Sequence, residues 1–179
     1  MYAWIIGTLT GMVRATSPIL HHYGVAAIVA VLLAENLGLI FAPGESVIVA
    51  GGFLAAKGIL SIWVVIPAGI MASILGGYAA YALGTRYGHE KMLRYGRYLR
   101  ITPSMLDRVH RFFQRFGAPV VTVGRFIVPL RQLQGYVAGA AAMGFPRFAL
   151  WSAVGAVLWV SVWGLGSWAL AQQIPVHLT

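Results

Sequence analysis

The sequence predicts an all-α, polytopic membrane protein, and three observations predict it. The 179 residues are 59% hydrophobic and only 9% charged, with mean hydropathy +0.79, far more apolar than an ordinary soluble domain. The apolar stretches are broken twice by a proline set among ionisable residues: Glu35 with Pro43-Gly44-Glu45, and Arg125 with Pro129-Leu130-Arg131. The features around the two breaks then recur in the same order along the chain.

The breaks organise the rest. A charged side chain at bilayer depth costs at least ~2.5 kcal/mol, and proline removes a helical N–H. A broken helix at that depth is tolerated only where protein or a water-filled cavity satisfies the freed backbone. Acids at one break and arginines at the other therefore point to one polar site at the membrane midplane, built from both halves of the chain. The bland alternative is a pair of re-entrant turns whose charges merely pair with each other. Glu45 has a local explanation as well, an anion in the first turn of a helix capped by Gly44. Glu35 has none.

Taken in order, residues 2–13 form an apolar segment too short for a comfortable span. Arg14 follows that segment instead of preceding it, so no cleavable signal peptide is expected. His21-His22 lie in a polar patch and read as interfacial. Tyr23 to Leu39 is the first apolar helix, and Glu45 to Ala56 returns from the break as a short one. Lys57-Gly58 makes a turn. Ile62 to Leu83 is a span of membrane length, with a kink expected at Pro67. Its Ala72, Gly76, Ala80 and Gly84, beside Gly69, Ser73 and Gly77, predict a stripe of small residues where another helix backbone packs closely.

The net charge of +9 is concentrated between residues 86 and 115, in Arg86, Lys91, Arg94, Arg97, Arg100, Arg108, Arg111 and Arg115. In so apolar a chain this predicts a cytoplasmic connector on anionic lipid, not a nucleic-acid site. From Pro103 to Phe116 the apolar residues and Arg108, Arg111 and Arg115 take opposite sides, the pattern of an interfacial amphipathic helix; docking to a partner protein is the other use of such a helix. Ala118 to Ala142 holds the second break. Phe148 to Ala171 is the last span, rich in tryptophan, some of it expected at the membrane interfaces.

The repeat is one of order. Tyr23-Gly24 matches Phe116-Gly117, the Pro-x-charge break follows, then Val49-Ala50-Gly51 matches Val137-Ala138-Gly139. Trp63 matches Trp151, and Gly76 matches Gly164. The expected organisation is one domain over residues 1–179, with repeat one at about 23–84, the basic connector at 85–115 and repeat two at about 116–171. Each repeat reads as a re-entrant helical hairpin plus one transmembrane helix. If each half crosses once, the second is inverted relative to the first, which is transporter architecture.

These residues resemble the DedA family, also described as SNARE-associated or VTT-domain membrane proteins. The resemblance rests on Glu35-Asn36, Pro43-Gly44-Glu45, Gly76-Gly77-Tyr78 with Gly84, Phe116-Gly117, Gly124-Arg125-Phe126-x-x-Pro129-x-Arg131, Ala138-Gly139 with Met143, and Gly155-Ala156-x-x-Trp159. It implies two facing re-entrant loops and proton-dependent translocation of lipids, undecaprenyl phosphate and phospholipids among them. It also implies required acids in the first loop and required arginines in the second. Those roles fall here on Glu35 and Glu45 for proton coupling and on Arg125 and Arg131 for binding phosphate, whose oxygens match a guanidinium fork. Gln132 and Gln134 add neutral hydrogen bonds.

The function expected is therefore a transporter of an anionic lipid in a bacterial inner membrane, with protons and the anionic bilayer surface as its other partners. No catalytic residue, metal or cofactor is expected. Cysteine is absent, and all five histidines lie outside the breaks, which disfavours a lipid phosphatase. A proton-coupled exporter of small cations or drugs is the alternative, and a non-transporting assembly factor a more distant one.

Overall fold

The computed structural model describes residues 23–37, 43–95 and 119–173, the side chains of 88–95 and of Pro129 excepted, and every described element is helical. The helices are α1 (Val25–Asn36), α2 (Gly44–Ala56), α3 (Ile62–Tyr95), α4 (Pro119–Gly124), α5 (Val128–Ala140), α6 (Phe145–Val160) and α7 (Gly166–Gln173). A π-helical turn, Ser161–Leu165, joins α6 to α7. The expectations for residues 2–13, for His21-His22 and for the amphipathic helix with Arg108, Arg111 and Arg115 lie outside the described residues.

Two helical stretches are long and apolar enough to cross a bilayer, Ile62–Tyr87 and Phe145–Gln173. Only 33% of the most apolar window of the first is buried inside the protein. Along α3 the exposed side chains are large and apolar: Trp63 (86% exposed), Val64, Met71, Leu75 and Leu83. From Gly69 onward the buried ones are small: Gly69, Ala72, Ser73, Gly76, Gly77, Ala80 and Gly84. Apolar outside and small inside is the packing of a helix in lipid, where close backbone approach, not water exclusion, holds helices together. The helix does not stop at Leu83 as its hydropathy suggests. Gly84 is buried against the backbone of Tyr136, where a Cβ would come within 2.8 Å of its Cα, so it serves packing and not termination.

The described chain forms two compact units. In the first, Ile28 and Leu32 of α1, Ile48 and Leu54 of α2, Val65 and Ala72 of α3, and Trp159 and Val160 make one apolar core. Trp159 is thus a core residue, not an interfacial one. Gly52 of α2 faces the π-turn: a Cβ there would run into the Gly164 carbonyl and the Ser167 hydroxyl. That hydroxyl donates to the same carbonyl at 3.0 Å.

In the second unit, α3 packs on α5 through glycine. A Cβ at Gly135 would meet Ala80 Cβ at 2.8 Å and the Gly77 carbonyl at 2.9 Å, and one at Gly139 would meet Thr85 N at 2.7 Å. Tyr78 stands edge-on to Phe145, and Tyr81 stacks on Phe148 with centroids 4.8 Å apart. Both tyrosines donate to backbone carbonyls, of Ala149 and Met143 respectively.

The order of elements is used twice: a helix, a break, a helix of 13 residues, then a long apolar helix. The two 13-residue helices also end alike. Ile59 N donates to the Leu54 carbonyl and Gly58 N to that of Ala55; Met143 N donates to Ala138 and Ala142 N to Gly139. Both are Schellman motifs, with left-handed φ of +76° at Gly58 and +53° at Ala142. This register pairs Gly51 with Gly135, whereas the similar strings Val49-Ala50-Gly51 and Val137-Ala138-Gly139 pair Gly51 with Gly139.

Candidate functional site

The first break lies between α1 and α2. Pro43 is the N-cap of α2 and offers no side-chain cap, so Gly44 is the first helical residue and not the cap. Glu35, in the last turn of α1, is only 1% exposed. Its carboxylate rests against Gly44, where a Cβ would collide with Oε2 and sit 2.7 Å from Cδ. The carboxylate therefore stands at the amide end of α2, where N–H groups lack helical partners and the dipole favours an anion. Glu45 is partly buried in the first turn of the same helix. The two acids share one helix end, and the explanation that the sequence offers for Glu45 alone extends to Glu35.

The second break joins α4 to α5 by three successive tight turns: Arg125 N to the Thr122 carbonyl, Phe126 N to Val123, and Ile127 N to Gly124. Phe126, Ile127 and Val128 are exposed. Ile127 is extended and caps α5, whose first turn carries Pro129, a position that needs no donor. Arg131, Gln134, Gly135 and Ala138 are buried on one side of α5, with Gln132 beside them, while Leu130 and Leu133 are exposed. The helix is polar inside and apolar outside, the reverse of a soluble amphipathic helix.

Arg125 is fully buried and tied on two sides. Its Nη2 donates to Ser152 Oγ at 3.0 Å. Gln134, with its amide turned to donate to the Val121 carbonyl at 2.7 Å, accepts from Arg125 Nε at 3.2 Å. Two glycines make the space. A Cβ at Gly155 would lie 2.9 Å from Arg125 Cδ and 3.1 Å from Thr122 Cα, and one at Gly77 would lie 3.2 Å from both Nη2 and Ser152 Oγ. Thr122, one turn before Arg125, donates to the Trp151 carbonyl at 2.8 Å, so residues 122 and 125 clasp consecutive residues of α6.

Of the six site residues predicted, the structure joins Glu35 and Glu45 at one helix end, links Arg125 directly to Gln134, and buries Arg131 and Gln132 on α5. Sequence reasoning missed Ser152 and Thr122. Gly77 and Gly155 were visible only as motif letters, not as walls of an arginine seat. Among the described residues no group of His, Cys, Asp or Glu could hold a metal ion.

A helical chain with membrane-length helices, lipid-type packing and buried charges at helix breaks is a membrane protein. The VTT domain model matches residues 42–168, and the chain belongs to the VTT-domain family of membrane proteins, the DedA family. It is 34% identical to an uncharacterised membrane protein of Synechocystis over 140 residues, 78% of this chain and 64% of that one. It is 30% identical to protein DedA of Escherichia coli K12, over 77% of this chain and 66% of that one. It is 31% identical to undecaprenyl phosphate transporter A of Bacillus subtilis, over 71% of this chain and 64% of that one. The chain thus spans a little under two thirds of these relatives. No solved structure matches it.

Proposed function

We propose that this chain moves a phosphate-bearing lipid across a bacterial inner membrane, coupled to protons. The observation that carries the reading is the second break. There two arginines, Arg125 fully buried and Arg131 at 4% exposure, are concentrated with two buried glutamines inside an apolar chain. Ionisable side chains are costly at bilayer depth and mark functional sites there by default, and guanidinium is the side chain that best recognises phosphate oxygens. The relative named undecaprenyl phosphate transporter A supports that lipid as the substrate. In this reading Arg125 and Arg131 hold the phosphate and Gln132 and Gln134 complete the polar lining. Glu35 and Glu45, together at the first turn of α2, carry the proton. The repeats are two inverted halves, each a re-entrant hairpin with one span, and residues 86–115 lie in the cytoplasm.

The test is transport of labelled undecaprenyl phosphate by purified protein in phosphatidylethanolamine–phosphatidylglycerol vesicles, with and without a pH gradient. The expected result is movement faster than in empty vesicles, accelerated by the gradient. Movement equal to empty vesicles overturns the reading, and gradient-driven efflux of small organic cations in its place would establish the exporter.

A further inference from the structure

We propose that Ser152 is a positioning residue for the phosphate site, and that Gln134 acts through Arg125 and not on the headgroup. The proposal rests on the transport reading above and refines its residue roles. The Nε and Nη2 of Arg125 are each engaged by the protein, Nη2 by Ser152 Oγ at 3.0 Å and Nε by the Gln134 oxygen at 3.2 Å. Two fixed acceptors on one planar group remove its freedom to rotate. The Gln134 amide is itself held by the Val121 carbonyl, so the acceptor is anchored to α4. On the α3 and α6 sides Gly77 and Gly155 let the side chain lie close against the backbone, where a Cβ would come within 3.2 Å and 2.9 Å of it. α4, α5 and α6 therefore set one guanidinium plane in common. An arginine bound in this way meets an anion in a single orientation, with the ordering cost met on folding instead of on binding.

Lysine keeps the charge but has no planar fork to be held, so Ser152 has nothing to orient once Arg125 is lysine. The two substitutions should then be strongly non-additive. In the vesicles above, Ser152→Ala is expected to raise the half-saturating undecaprenyl phosphate concentration about tenfold, the loss of one hydrogen bond to a charged group. The maximal rate should stay near that of wild type, and the melting temperature should fall modestly, since a buried donor loses its acceptor. Ser152→Thr, which keeps the hydroxyl, should restore affinity, and Ser152→Ala should cost little more in an Arg125→Lys background.

A spectroscopic arm needs no transport. The Arg125 guanidinium N–H resonances of the full chain in nanodiscs should exchange slowly with water in wild type, and the Nη2 protons that Ser152 holds should exchange faster in Ser152→Ala. Unchanged half-saturation in Ser152→Ala, strict additivity with Arg125→Lys, or fast Nη2–H exchange in wild type would each overturn the positioning role. Wild-type protein that moves no lipid would instead overturn the transport reading.

Discussion

At the scale of single residues, the glycines carry much of the design. Gly44 leaves the room that the Glu35 carboxylate fills. Gly44→Ala should cost about 1–3 kcal/mol, the usual range for overpacking, read by thermal unfolding in detergent. Adding Glu35→Ala should recover most of that loss, since the colliding atoms are then gone; a double variant no more stable than the single would place the strain elsewhere. Within the proposed function, Arg131→Lys keeps the charge and loses the fork, so transport should fall well before the melting temperature does. Glu45→Gln should flatten the pH dependence of transport, and an unchanged profile would remove Glu45 from proton coupling. Burial of Glu35, Arg125 and Arg131 was legible in the sequence because charge is conspicuous in an apolar run. The partners of Arg125 were not: a serine in a tryptophan-rich helix carries no local signal, and only the fold brings residue 152 to residue 125.

Helices show a different balance. The two Schellman ends adopt the same backbone with different residues, glycine at 58 and alanine at 142. A left-handed backbone costs an L-residue ~1–2 kcal/mol. Ala142→Gly should therefore raise stability by about 1 kcal/mol, and Gly58→Ala should lower it by a similar amount, since nothing lies within 4 Å of a Cβ there. Equal and opposite shifts in melting temperature are the expected readout. Small residues every fourth position in α3 announced a packing face, and Gly135 and Gly139 of α5 are the residues that use it. Helix limits were less legible. Leu83 marks the end of strong hydropathy but not of α3, because a helix running on into a basic segment is no less hydrogen-bonded. The π-turn at Ser161–Leu165 has no sequence signature beyond Gly164 and Gly166, since one widened turn barely disturbs apolar spacing.

For the whole molecule, the repeated order of helix, break, 13-residue helix and long helix was legible, while the register between repeats was set by helix ends that the matching letters did not reveal. The proposed topology has a direct test. With residues 86–115 cytoplasmic and each repeat crossing once, cysteines introduced at Gln114 and Gln173 should react with impermeant reagent from opposite faces of the membrane. Reaction from the same face would exclude a single crossing per repeat. The seat of Arg125 also has a consequence for how the chain is made. Its partner Ser152 is 27 residues further along the chain, and the carbonyl that Thr122 uses lies 29 residues on from it. A chain ending before Ser152 presents this arginine to the membrane without the hydroxyl that holds it. Truncated chains released before Ser152 should therefore be degraded faster in the membrane than chains ending after α7.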